Sequence, residues 1–340
     1  MKKILLAAMM VLALASCTGK SNRVADEAQD TSENSLKPNI NGKAGEVLIV
    51  IEKNDWEGAL GNDVRELLGG DCPYLVMKEP LFTLLNVDRK GFDNIFVLHR
   101  NIVCFQIDPA CSEGTVLFER NKWAKPQCVV DIVAKDAQEA SALLRKNIKG
   151  IVNAIEQAER NRIISTAHRY EVKELSARVN AIFGGFMYLP NGYEYRKSTE
   201  DFIWIGDEKY YTNQGILVYR FPARGDASDF TLANLISHRN EILKENVPGP
   251  RDNTYMTTGR SIEPTGEKLL FPDREVTQVR GYWDVENDYM GGPFVSHSFY
   301  SKDKKYVITA EAFVYAPKFD KRQYLRQVES LLYSWEWSKK

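Results

Sequence analysis

The sequence predicts an α+β protein of two units. Each unit is a mainly antiparallel sheet with helices packed on one face, and a long helical segment joins them. Three patterns carry this expectation. Short β-branched and aromatic runs recur in both halves of the 340-residue chain, separated by turn residues. Apolar residues at helical spacing fill 136–183. Each half also closes alike, with a strand-like run before a helix: Cys128–Val133 ahead of Asp136, and Tyr306–Val314 ahead of Asp320. That shared ending hints at related units in tandem, 45–164 and 165–340.

The chain opens with a secretory pattern. Lys2 and Lys3 are followed by an apolar run, Ile4–Leu14, too short to span a bilayer, and then by small residues Ala15 and Ser16. Leu14-Ala15-Ser16-Cys17 resembles the bacterial lipobox, in which a diacylglycerol thioether forms on the cysteine and the signal is cut just before it. The resemblance implies that 1–16 is a lipoprotein signal peptide and that Cys17 is the acylated first residue of the mature protein. Several acyl chains on one residue give stable anchoring. Thr18 replaces the aspartate of an inner-membrane retention signal, and Thr18–Arg23 is mildly basic. By resemblance to other lipoproteins, the expected place is the outer membrane, facing the periplasm. Residues 17–44 are polar and fit a lipidated flexible tether, with an end-to-end distance of roughly 30 Å.

Order is expected from Glu46. Val47–Ile51 is a continuous aliphatic run, read as a strand covered on both faces. Trp56, Leu60, Val64, Leu67 and Leu68 share a helical face that ends at Gly69-Gly70. Strands are then expected at Tyr74–Met77, Phe92–Leu98, Ile102–Ile107, Thr115–Phe118 and Cys128–Val133. Asp136 with Glu139 resembles a capping box. The helix after it carries Ala140, Leu144, Ile148, Ile151 and Ile155, and places Glu156 and Arg160 as an i, i+4 ion pair. A second helix, with Val172, Leu175, Val179 and Ile182, stops at Gly184-Gly185. The second half adds strands at Tyr193–Lys197, Phe202–Ile205 and Gly215–Phe221, then a helix with Leu232, Leu235, Ile242 and Leu243. Pro248-Gly249-Pro250 ends that helix. Strands follow at Thr254–Thr258, Glu275–Val285, Phe294–Tyr300 and Tyr306–Val314, before a closing helix over 321–335.

Composition narrows the function classes. Hydrophobic residues make up 44%, enough for a real core, and the formal charge is −1. Loss of Lys2 and Lys3 with the signal makes the mature chain slightly more acidic. Neither state favours nucleic acid as a partner. Beyond Cys17 there are four cysteines, Cys72, Cys104, Cys111 and Cys128. An exported setting permits disulfides among them, but Cys104 and Cys128 also suit free buried thiols. There is no Cys-x-x-Cys and no histidine pair at ligand spacing, so neither a metal nor a cofactor is expected.

No catalytic motif stands out. The four histidines, His99, His168, His238 and His297, are scattered. Ser296-His297-Ser298 is adjacent in sequence, but neighbouring strand residues point to opposite faces. Asp284, Glu286 and Asp288 have calcium-loop-like spacing, yet Tyr289 stands where such a loop needs glycine, and a solvated turn is the better reading. Residues 280–294 are read in two ways: as an ordinary strand and hairpin, in which Tyr282 and Trp283 split between core and solvent and the glycines merely close the turn, which is the preferred reading, or as a binding surface. Arg280, Tyr282 and Trp283 are hot-spot residue types, Asp284, Glu286 and Asp288 bring the chain to the surface, and Gly291 and Gly292 allow turn geometry.

Arg280-Gly-Tyr-Trp283, Met290-Gly-Gly-Pro-Phe294, Val247-Pro-Gly-Pro250, Phe202-Ile-Trp204 and Phe313-Val-Tyr-Ala-Pro317 together resemble a domain-of-unknown-function family of Bacteroidetes envelope lipoproteins. The resemblance covers nearly the whole mature chain. It implies an exported lipoprotein and brings no activity, substrate or catalytic residue. The expected function is therefore a non-catalytic, lipid-anchored envelope protein that binds or supports another envelope component, either a protein or a glycan. One alternative is an envelope hydrolase using Asp284, Glu286 or Asp288. Another is a carbohydrate or small-ligand binder using aromatics of the second half.

Overall fold

The structure, a computed structural model, describes residues 36–339. Cys17, the signal residues and the tether up to residue 35 lie outside the described residues. No helix among those described is long and apolar enough to cross a membrane.

The first half carries β1 (Glu46–Val50), α1 (Lys53–Glu57), α2 (Ala59–Gly69), β2 (Thr83–Val87), β3 (Asn101–Ile107), β4 (Thr115–Arg120) and β5 (Cys128–Ala134). Its five strands are ordered β2-β1-β3-β5-β4. All neighbours run parallel except the edge pair β4–β5. The expected antiparallel sheet is thus corrected to a mixed, mostly parallel one. The reason lies in the connection from β1 to β2. It carries α1 and α2 over one face and returns the chain in the same direction, as a parallel pair requires. The runs at 74–77 and 92–98 are not strands. Met77 and Ile95 are 69% and 66% exposed there, and β2 takes the edge position instead.

One face of this sheet packs Val47, Ile49, Val103, Val130 and Ile132 against α2 and the helix that follows β5. The other face, with Leu48, Val50, Ile102 and Val129, is closed by loop side chains Phe92 and Trp123. All four cysteines are free thiols, so no disulfide forms among the described residues. Cys104 and Cys128 belong to the cores on the two opposite faces.

The long helix α3 (Ala137–Arg169) starts at Asp136, whose side chain accepts from the Glu139 N–H. Glu139 in turn accepts from the Lys135 N–H. Helix α4 (Lys173–Phe183) ends at Gly184, whose φ of +69° is the left-handed conformation that glycine adopts without strain. The second half then runs β6 (Gly185–Phe186), β7 (Glu194–Ser198), β8 (Phe202–Lys209), β9 (Thr212–Pro222), α5 (Leu232–Asn246), β10 (Met256–Thr258), β11 (Thr265–Leu270), β12 (Glu275–Val285), β13 (Gly291–Tyr300), β14 (Tyr306–Tyr315), α6 (Arg322–Leu332) and β15 (Glu336–Trp337).

Eight of these strands form an antiparallel sheet that curls into a half-barrel, ordered β10-β12-β13-β14-β9-β8-β7, with β11 also paired to β12. Here the antiparallel expectation holds. The expectation of helices on one face does not. Strand β9 is apolar on both sides: Ile216 and Val218 meet the core of α4 and α6, while Leu217, Tyr219 and Phe221 meet α5. A sheet buried on both faces needs a layer on each. The two halves therefore differ in strand direction and layering, and the hint of related tandem units is not carried by the fold.

Helix α6 joins the halves. Its first turn is capped from the other half, with Glu79 accepting from the N–H groups of Lys321 and Arg322 at 2.7 Å each. Arg322 donates to the Pro80 carbonyl and to Thr83 Oγ1, and Gln323 to the Ala44 carbonyl. Arg326 reaches Glu156 on α3 (Nε to Oε2, 2.8 Å) and the Leu81 carbonyl. Beside this seam the two halves leave a cleft.

Candidate functional site

The cleft has a volume of about 720 Å³ and lies among α3, α6, β11 and β12. That size suits a small-molecule ligand. One wall is a stripe of α3. Lys149, Val152, Asn153, Glu156 and Arg160 recur at helical spacing and all line the space. Facing them are Leu269, Leu270 and Phe271 at the end of β11, with Arg280 on β12 and Glu329 and Tyr333 at the end of α6.

The floor is a buried polar network. Arg280 makes two bonds to Glu329, at 3.1 and 2.5 Å, and a third from Nε to the Gln278 side-chain carbonyl at 2.9 Å. The Gln278 amide donates to His297 Nε2 (2.9 Å) and to the Tyr333 hydroxyl (3.0 Å). The Arg160 guanidinium stacks on the Tyr333 ring, 3.5 Å from its centroid. Antiparallel pairing of β12 with β13 sets Gln278 opposite His297, so both side chains meet on one face. Ser296 and Ser298 point to the other face, where Ser298 bonds Thr309.

Burial and charge fix the protonation states. Burial pushes the His297 imidazole down to about 3, against a smaller pull upward from Glu329, so the ring is neutral. Burial works to raise the Glu329 carboxyl, but the Arg280 charge and hydrogen bonds outweigh it and the net shift is downward. Glu329 is a carboxylate held by its arginine. Burial pushes the Cys72 thiol on the cleft wall up to about 11, which leaves a protonated and poorly nucleophilic sulfur. The lining thus offers fixed charges, hydrogen-bond donors and apolar wall, an arrangement suited to binding.

The sequence-predicted surface at 280–294 is divided by the fold. Its alternate residues face opposite sides of the sheet. Arg280 enters the cleft. Trp283 lies in the opposite core, 1% exposed, with its Nε1 donating to the Val314 carbonyl at 3.2 Å. Tyr282 is half-buried. Gly291 and Gly292 are strand residues rather than turn residues. A Cβ on Gly292 would sit 1.9 Å from the Val314 carbonyl oxygen, so close strand approach is what requires glycine there. Asp284, Glu286 and Asp288 line a separate hollow of about 510 Å³ at the β12–β13 turn. Asp288 pairs with Arg251 at 2.8 Å, and Glu286 is exposed. Among the described residues, no group of three or more His, Cys, Asp or Glu side chains is placed to hold a metal.

Sequence reasoning missed Arg160, Gln278, Glu329 and Tyr333 as a group. It paired Arg160 with Glu156, whereas Glu156 bonds Arg326 across the seam and Arg160 turns to Tyr333. The usable signal was the spacing of 149, 153, 156 and 160, a polar face with three charged residues on a helix whose opposite face is apolar.

Residues 41–168 match a domain of unknown function (DUF8532), and residues 171–334 match another (DUF4837). The chain carries two domains of unknown function. The resemblance read from sequence as one family resolves into these two, which meet between α3 and α4. A 1.50 Å crystal structure from Bacteroides thetaiotaomicron VPI-5482 aligns with 46% of this chain and 46% of its own, at 13% identity and a TM-score of 0.24. The match thus spans less than half of that protein's length. No curated protein matches the sequence.

Proposed function

We propose that this chain is a non-catalytic binding protein of the cell envelope. It is anchored by lipid on Cys17, in the outer membrane facing the periplasm, and takes another envelope component in the cleft between its two halves. The observation that carries this reading is the cleft wall. It combines charged side chains with apolar surface, and its candidate reactive groups are held in quiet states: Glu329 on Arg280, Cys72 as a thiol. His297 lies behind the wall as a neutral hydrogen-bond acceptor. Helix α6 gives the cleft a fixed shape by tying the halves together through Glu79, Arg322 and Arg326.

Two experiments in cells test the reading. A photoreactive amino acid at Leu270, which is exposed at the cleft, should capture a discrete envelope component identifiable by mass spectrometry. The same probe at exposed Tyr210 should not capture that component, and equal capture from both positions would refute the cleft. Cys17→Ala should release the protein from membranes or leave it unprocessed. A variant cut normally and still found with the outer membrane would refute the anchor.

A further inference from the structure

Most charges in the cleft are matched within the protein. The Arg280 donors go to Gln278 and Glu329. The Arg326 donors go to Glu156, Gln323 and the Leu81 carbonyl. Two cations on the α3 wall are different. Among the described residues, the side chains of Arg160 and Lys149 form no hydrogen bond or ion pair, and both line the cleft. Arg160 is held in place by its ring contact instead. The contact with Tyr333 holds the guanidinium carbon 3.5 Å from the ring centroid without using an N–H, so the fork of parallel donors that a guanidinium edge carries is not spent within the protein. Such an edge matches two oxygens of one acidic group. Around it lie the apolar side chains of Val152, Leu270 and Phe271. Glu267 and Glu329 in the same lining oppose a ligand of high negative charge.

We infer that the cleft binds a small amphipathic oxyanion, whose single carboxylate or phosphate group sits on the free edge of Arg160 and whose apolar body lies against Val152, Leu270 and Phe271. Lys149 adds long-range attraction. This inference rests on the proposed function and names its ligand class.

The test is calorimetric titration of the full chain with three probes of one shape: phenyl phosphate, phenylacetate and the neutral 2-phenylethanol. Both anions should bind, each at least about tenfold more tightly than the alcohol, as a charge-assisted bidentate contact requires. The stronger of the two anions tells a phosphate source from a carboxylate one. Arg160→Gln should cost the anions about tenfold and leave the alcohol unchanged. Arg160→Lys should recover part of the loss. If Arg160→Gln fails to fold, Glu267→Gln serves in its place. It removes an opposing charge and should tighten anion binding by about threefold. Absence of anion binding, equal binding of all three probes, or unchanged affinity in the folded variants would overturn the inference. Capture from Leu270 in cells would survive that result, so failure of the ligand chemistry and failure of the binding role are distinguishable.

Discussion

The half-barrel sheet holds two buried arginine–glutamate pairs, one on each face, and they differ in what surrounds them. On the α5 face, Arg239 grips Glu311 through Nε (2.8 Å) and a terminal nitrogen (2.7 Å). Its other terminal nitrogen donates to Thr258 Oγ1, and its guanidinium carbon lies 3.9 Å from the Phe294 centroid. Both side chains are essentially sealed, at 2% and 0% exposure. On the α6 face, Arg280 grips Glu329 just as closely, but the pair borders the cleft at 22% and 12% exposure. Beside it stands Arg160, a third cation with no carboxylate of its own. The same chemistry is a closed structural joint on one face and the edge of a binding site on the other. What separates them is the unmatched charge beside the pair and the space in front of it.

This contrast can be broken in order of effect. Glu311→Gln leaves Arg239 buried without its counter-charge and should cost about 3–5 kcal/mol in urea unfolding, with probe affinity in the cleft unchanged. A loss below about 1 kcal/mol would show that the α5 face is wetter than the packing indicates. Glu329→Gln should cost less, about 2 kcal/mol, since water reaches Arg280 from the cleft. It should also tighten binding of phenyl phosphate, because it frees Arg280 donors and removes a negative charge. Weaker binding would contradict the assignment of the cleft as the anion site.

A third test uses pH, because His297 belongs to the cleft-side network alone. The folded chain keeps His297 neutral down to about pH 3, whereas an ordinary imidazole takes a proton near 6.5. Between those values the unfolded chain binds more protons. Stability from this residue is therefore complete above pH 6.5 and falls as the pH drops, by up to about 1.4 kcal/mol per pH unit. His297→Gln should flatten that acid limb, read as the difference in urea midpoint from wild type between pH 6.5 and 5. Parallel limbs in the two proteins would place His297 in water. The smallest effect belongs to the acidic turn. Replacing Asp284, Glu286 and Asp288 together with serine should change stability by only about 0.5 kcal/mol per site. Capture from Leu270 should persist. Lost capture in a stable triple variant would move the site to the β12–β13 turn.

Much of the second half was legible in the sequence, because its strands alternate and its turns carry Pro and Gly. Glu275–Val285 falls where the periodicity placed it. The first half was misread for a definite reason. The aliphatic run Val47–Ile51 does report a strand covered on both faces, but Tyr74–Met77 imitates a strand near the place where β2 belongs. Thr83–Val87 is interrupted by Asn86 and gave a weaker signal than the loop before it. A false strand close behind the helix suggests a hairpin-like return, and the parallel crossover was lost. The site was hidden for a different reason. Arg160 and Glu156 form a good local pair on paper, and only the fold brings Arg326, 170 residues away, to claim Glu156. Trp283 left two readings open, since a hot-spot residue type is also a core residue type; the split between core and solvent is the one the fold shows, with Trp283 buried and Tyr282 half-buried.

The most direct test of the cleft is hydrogen–deuterium exchange of the full chain with and without saturating phenyl phosphate. Binding at Arg160 should slow exchange in peptides covering 149–160, 267–271 and 329–333. Peptides covering α5, which backs the sealed Arg239–Glu311 pair, and the 284–290 turn should exchange as before. Protection confined to the turn, or none on the α3 wall, would contradict the account.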